Sequence, residues 1–248
     1  MDALTVPEYN LLPVYAAGPA IGPVRLGASY VSASRATRVG GDLYKPVPSP
    51  YGVRLVIADV QGKGLGTIRC AAVVPAAFRE SGPEAEELAE VGSRIESALN
   101  RSTDGQRFVN GILAQIGPAG QFLAFNHGHP APLLRTADGG IRFVEPDEPV
   151  PPFGLTGPAG SGNPRNSVTQ LTLQPGDRLF LYTDGLSGAR DGDGRFYPVD
   201  ERAGPLLGES TPEEALRRVH ADVAAFTGAQ PDDDSALLLV EFAPRAVP

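Results

Sequence analysis

Arg54-Leu55-Val56-Ile57-Ala58-Asp59-Val60-Gln61-Gly62-Lys63-Gly64 decides the fold. A short apolar run closes on an acid, and glycines follow at once. Such a run, bounded by turn signals, reads as a buried strand. The same grammar recurs in Arg178-Leu179-Phe180-Leu181-Tyr182-Thr183-Asp184-Gly185, and Gly40-Gly41 places Asp42 behind two glycines. It also appears reversed, where Asp232-Asp233-Asp234 precede Ala236-Leu237-Leu238-Leu239-Val240. An ionised carboxylate beside a buried strand is costly unless something pairs with it.

Outward from these runs, strands are expected at Arg54–Val60, Val109–Ile116, Gln121–Asn126, Val168–Leu173, Arg178–Thr183 and Ala236–Phe242. Weaker signals cover Val24–Ser32, Pro132–Arg135 and Ile141–Val144, and Gly117–Gly120 and Asp138–Gly140 sit between runs as hairpin turns would. Three stretches have helical spacing. Gly64–Arg79 contains Pro75, which should kink it, and Pro83–Asn100 carries Leu88, Val91, Ile95 and Leu99 as one stripe. Pro212–Phe226 follows a capping box, Thr211-Pro212-Glu213-Glu214. Residues 156–167 and 190–210 read as loops. Several strands follow one another directly, so the fold class is α+β, antiparallel sheets with helices packed outside. Residues 1–23, spotted with Pro and Gly, form a leading segment, and 24–244 form one domain.

The composition agrees. Among 248 residues there are 30 Gly and 25 Pro, too many for a helical bundle, and 42% are hydrophobic, enough for a sizeable core. A net charge of −8 argues against a nucleic-acid partner and suits a site that gathers carboxylates for a hard cation. The single cysteine, Cys70, excludes an intramolecular disulfide framework and fits a reducing cytosol. The longest apolar run, Cys70 to Phe78, contains Pro75 and is far short of the ~20 residues that span a bilayer. No basic residue precedes Arg25, unlike a secretory signal. The expectation is a cytoplasmic protein with no membrane partner.

The acids admit a plainer reading one by one. Asp104-Gly105, Asp138-Gly139, Asp191-Gly192 and Asp193-Gly194 are ordinary turn signals. Four acids at strand ends are another matter, because few Lys or Arg lie near enough to neutralise them. Mg²⁺ or Mn²⁺ would do so, with the flanking glycines allowing close backbone approach. Other motifs fall away. His127-x-His129 could offer two imidazoles to zinc, and Gly62-x-Gly64-x-Gly66 misses the dinucleotide-loop pattern, its third glycine one position early and the chain lacking βαβ alternation. Asp191 to Arg202 lacks the acid that ends a calcium loop, and Cys70 reads as a small core residue.

The order of motifs closely resembles the bacterial PPM-type (PP2C-like) serine/threonine phosphatases, in the SpoIIE/RsbU-like branch that acts on regulators of sigma factors. The motifs are Val39-Gly40-Gly41-Asp42, Ala58-Asp59-Val60-Gln61-Gly62-Lys63-Gly64, Asn126-His127-Gly128-His129-Pro130, Pro152-Phe153-Gly154-Leu155, Pro175-Gly176-Asp177-Arg178-Leu179 leading into Tyr182-Thr183-Asp184-Gly185, and Asp232-Asp233-Asp234-Ser235. They run in order from about Leu11 to Phe242.

The resemblance implies a four-layer αββα sandwich with two Mn²⁺ or Mg²⁺ ions at one end. Carried over, Asp59 bridges both metals, the Val60 carbonyl adds a ligand, and Asp42 acts mainly through the second metal's water shell. Asp184 and one of the last acids, Asp232 or else Asp233, hold the first metal. Two cations about 3.5 to 4 Å apart neutralise a phosphate monoester and activate a bridging water, so no protein nucleophile is needed. His129 becomes a structural residue of a tight turn. The implied substrate is phosphoserine or phosphothreonine on a partner protein, an anti-sigma factor antagonist; a homodimer is left open. Three features depart from the pattern or stay unassigned. Lys45 stands where the family often has an acid, Gln61 stands where eukaryotic relatives have a histidine, and neither Arg35 nor Arg38 is singled out for phosphate. These leave a second reading, a weak or inactive member that works by binding protein.

Overall fold

The structure, a computed structural model, describes residues 20–31, 41–60, 62, 65–102, 108–148, 150–155, 167–228 and 233–244. In chain order the strands are β1 (Ala20–Ile21), β2 (Val24–Val31), β3 (Leu43–Ser49), β4 (Gly52–Val60), β5 (Val109–Ile116), β6 (Gln121–His127), β7 (Leu133–Arg135), β8 (Ile141–Phe143), β9 (Thr169–Thr172), β10 (Arg178–Tyr182) and β11 (Ser235–Phe242). The helices are α1 (Leu65–Ser81), α2 (Leu88–Ser102), α3 (Asp184–Ser187), α4 (Val199–Leu206) and α5 (Pro212–Thr227). One sheet runs β3-β4-β5-β6-β9 and the other β1-β2-β11-β10-β7-β8, every neighbouring pair antiparallel. Helices α1 and α2 cover the first sheet; α4 and α5 cover the second. The four-layer α+β sandwich expected from the sequence is the architecture observed.

Strand periodicity explains the layering. On β11, Ala236, Leu238, Val240 and Phe242 enter the core shared by the two sheets, while Leu237 and Leu239 enter a second core beneath α4 and α5. On β10, Leu179 and Leu181 face one way and Phe180 and Tyr182 the other. Alternate side chains of a strand point to opposite faces, so a strand covered on both must be apolar throughout. That is why these runs show no polar alternation in sequence.

The helices obey their signals with exceptions. Leu88, Val91, Ile95 and Leu99 are buried on α2, although the helix begins at Leu88 and not at Pro83. At the start of α5, Thr211 Oγ1 accepts from Glu214 N at 3.2 Å, and Gly228 closes the helix in the left-handed region at φ 62°. Helix α1 runs through Pro75 without ending, and Cys70 is fully buried in it. Residues 190–210, expected as loop, contain α4; Gly204 and Pro205 hid its periodicity. Strand β3 was not expected either, because Lys45-Pro46-Val47-Pro48 reads as irregular. It lies at a sheet edge, where a proline without an N–H costs no ladder bond on the open side. Ala20–Ile21 pair with β2 across Gly22, so the sheet starts ahead of the boundary expected at residue 24.

Two buried arginines fasten helix ends to the sheets. Arg54, fully buried on β4, donates to the carbonyls of Gly82, Ala85 and Glu86 and to Gln115 Oε1 at 2.8 Å, holding the α1–α2 turn. Arg178 on β10 pairs with Glu241 Oε2 at 2.7 Å and donates to the carbonyls of Leu207 and Glu209 beyond α4. Removing either strands several buried acceptors. Arg178→Met is expected to lower the unfolding free energy by about 3 kcal/mol in urea titrations. Arg195→Met, which breaks only exposed pairs to Asp191 and Asp193, should cost about 0.5 kcal/mol or less.

Candidate metal centre

The strand ends named above meet at one end of the sandwich. Asp42 precedes β3 and Asp59 is the penultimate residue of β4, both in the first sheet; Asp184 opens α3 directly after β10, in the second. One carboxylate oxygen from each of the three lies within 4.8 Å of the others, the only such acidic group among the described residues.

Asp42 is held across the sheets. Its Oδ2 accepts from Thr183 Oγ1 at 2.5 Å and from Ala236 N at 3.1 Å, and the same Ala236 N lies 2.9 Å from Thr183 Oγ1. Thr183 is fully buried and its N–H donates to Ala236 O at 3.1 Å. Thr183 was quoted in the sequence as part of a motif and given no role. An extended residue with a hydroxyl between an apolar strand and an acid was the available signal.

Close backbone packing fits the acids together. Val60 N donates to Gly41 O at 3.3 Å, and the Val60 carbonyl turns toward Gly41, where a Cβ would come within 2.7 Å of it. A Cβ on Gly185 would sit 1.9 Å from Asp234 O, so only glycine lets α3 start against the β11 approach. Asp233 is exposed, accepts from Asp234 N at 2.9 Å, and adds negative potential at Asp184 and Asp59. Asp232 lies outside the described residues, as do Arg35, Arg38 and Gln61.

Without a cation these acids burden one another. Burial first, then the charges of Asp59, Asp184 and Asp234, push Asp42 up to about 9 from an ordinary 3.8, against the opposing hydrogen bond from Thr183. Burial and the Asp184 charge push Asp59 up to about 6, and Asp184 is raised by burial and by Asp233.

The remaining sequence candidates resolve as structure. Asn126 brackets a turn, its Nδ2 donating to His129 O at 2.9 Å and its Oδ1 accepting from His129 N at 2.8 Å, around Gly128 at φ 73°. His127 Nδ1 lies 2.9 Å from Pro151 O and the ring stacks on Phe153, so the two imidazoles serve the turn. Asp191 and Asp193 pair with Arg195, a closed turn. Lys45 lies on the opposite face of β3 from Asp42, three residues away. Burial under α1 and the nearby Arg79 lower its pKa.

The family model for Stage II sporulation protein E (SpoIIE) matches residues 49–243. The chain belongs to the SpoIIE family. Solved structures agree in fold. The RsbU and RsbW domains of a Mycobacterium tuberculosis protein superpose with a TM-score of 0.75 at 22% identity, over 92% of this chain and 62% of that one. The PP2C phosphatase domain of Bacillus subtilis SpoIIE, with a fragment of its regulatory domain, gives 0.67 at 18%, over 90% of this chain and 63% of that one. This chain thus spans a little under two thirds of each. The catalytic domain of the serine/threonine phosphatase PstP, solved with two manganese ions, gives 0.62 at 16% over 89% and 98%. This SpoIIE member shares its fold with the PP2C phosphatase domain of Bacillus subtilis SpoIIE and with the PstP catalytic domain. No helix among its described residues is long and apolar enough to cross a membrane.

The raised acids make a pH prediction. Folded Asp42 keeps a proton through the neutral range that the unfolded chain releases near 3.8, so its contribution to stability is present at low pH and lost as pH rises toward about 9. His127 and His129, pushed down to about 4 by burial, titrate with the opposite sign below their ordinary 6.5. Above pH 7 those histidines are neutral in both states and no longer mask the Asp42 effect. Urea midpoints measured in EDTA should fall across that window for wild type, and Asp42→Asn should flatten the slope.

Proposed function

We propose that the chain is a metal-dependent phosphatase that removes phosphate from serine or threonine of a regulatory protein. The carrying observation is the meeting of Asp42, Asp59 and Asp184 from two sheets within 4.8 Å, in a chain of this family. The donor set fits the group: all-oxygen and acidic, raised in pKa by burial and by neighbouring carboxylates, a repulsion that a hard divalent cation would relieve.

In this reading Asp59, which lies within reach of both Asp42 and Asp184, would be the ligand shared by a pair of Mn²⁺ or Mg²⁺ ions. The Val60 carbonyl would serve the second ion, with Asp42 acting mainly through that ion's water shell, and Asp184 with Asp232 or Asp233 would serve the first. When bound, such a pair supplies an activated water and neutralises the phosphoryl oxygens. The protein's part is orientation. Thr183 and Ala236 fix one oxygen of Asp42 and leave the other for the site, and Gly185 sets Asp184 hard against β11. The substrate proposed is a phosphorylated anti-sigma factor antagonist in the cytoplasm, supported by the likeness to RsbU and SpoIIE domains.

Hydrolysis of an aryl phosphate and of a phosphoserine peptide, with Mn²⁺, Mg²⁺ or EDTA, tests the reading. Turnover should require metal and fall at least about 100-fold in Asp184→Asn. No turnover with any metal on either substrate would leave the chain as a protein-binding member of its family.

A further inference from the structure

The segment after the His127–Pro130 turn returns across the metal end of the first sheet. There β6 has already left, and Phe153 takes its place beside β5. Phe153 N donates to Val109 O at 3.0 Å and Val109 N donates to Phe153 O at 2.9 Å. The Phe153 side chain is fully buried, with its ring 3.7 Å from that of His127. The next residue, Gly154, turns in the left-handed region at φ 93°, and its N–H donates to Glu96 Oε2 on α2 at 2.7 Å. Asn100 Nδ2 approaches the other Glu96 oxygen at 3.4 Å.

This contact joins the helix layer to the segment paired with the start of β5. Val109 is the register partner of Val60, and Asn110 that of Asp59. The first residue of β5 is therefore clamped between β4 on one side and the Phe153 strap on the other. Ile95, buried in the α2 stripe, sets the helix in place, and the adjacent Glu96 reaches the strap. We propose that Glu96 is a positioning residue for the metal centre, holding the Phe153–Gly154 strap against Val109 and, through the β4–β5 register, the Asp59–Val60 strand end. This rests on the reading of Asp59 and Val60 as metal ligands. Glu96 touches no ligand itself; it acts through Gly154, the Phe153–Val109 pair and the Val109–Val60 register, and tunes affinity by holding the strand end that carries the ligands.

Calorimetric titration of Mn²⁺ into the metal-free full chain tests this without relying on turnover. Glu96→Ala should weaken binding about three- to tenfold and raise the Mn²⁺ needed for half-maximal hydrolysis alike. Glu96→Gln, which keeps an oxygen for the Gly154 N–H, should stay within about twofold of wild type. Glu90→Ala, which breaks an exposed α2 pair with Arg94, should change nothing and controls for helix damage. Wild-type affinity in Glu96→Ala, or equal weakening in Glu96→Gln, overturns the proposal. Wild type that binds Mn²⁺ but hydrolyses nothing overturns the phosphatase reading while leaving the comparison of variants decisive. Wild type that binds no Mn²⁺ overturns both.

Discussion

Three carboxylates that repel one another, delivered by two different sheets, are the constraint on which the structure turns. Asp42 and Asp59 come from one sheet and Asp184 from the other, and each is raised in pKa by burial before any neighbouring charge is counted. The sandwich gathers them because strands β4, β10 and β11 are apolar on both faces, so the sheets must stack, and their ends then coincide. Thr183 converts part of the resulting strain into a tie. Its hydroxyl and the Ala236 N–H give Asp42 two donors, and the same link stitches the sheets together at their acidic end.

The helix layers are anchored by a parallel device on each side. Arg54 reaches from β4 into the α1–α2 turn, and Arg178 reaches from β10 into the end of α4. In both, one guanidinium satisfies several carbonyls that a helix end would leave orphaned. Both arginines stand on strands that also deliver the acids or their neighbours: Asp59 closes β4 and Asp184 follows β10. Helix position and acid position are thus carried on the same strands.

What the sequence disclosed follows from what burial writes into it. Fully covered strands leave unbroken apolar runs, so β4, β5, β10 and β11 were legible, and the acids at their ends stood out against them. Elements whose stability is supplied by neighbours were not. Strand β3 carries Pro46 and Pro48 and is a strand because β4 offers it a ladder; α4 carries Gly204 and Pro205 and is a helix because Val199 and Ala203 pack into the second core. Within the site, the acids could be named from the chain, but Thr183 and Glu96 could not. Their roles depend on partners 141 and 58 residues away, a distance no local pattern spans.

The same reasoning reorders the family's departures in this chain. Lys45 raised a question in sequence because it sits three residues from Asp42, yet strand parity sends it to the other face, under α1 beside Arg79. A substitution near a ligand in sequence is therefore remote from it in chemistry. Glu96 is the converse: distant in sequence, on a helix with an otherwise solvated face, and two hydrogen-bonded steps from the strand pair that carries Asp59. Sites built where two sheets meet have this property in general. Their ligands occupy few positions, while the groups that set ligand geometry are spread over every layer that holds the sheets in register.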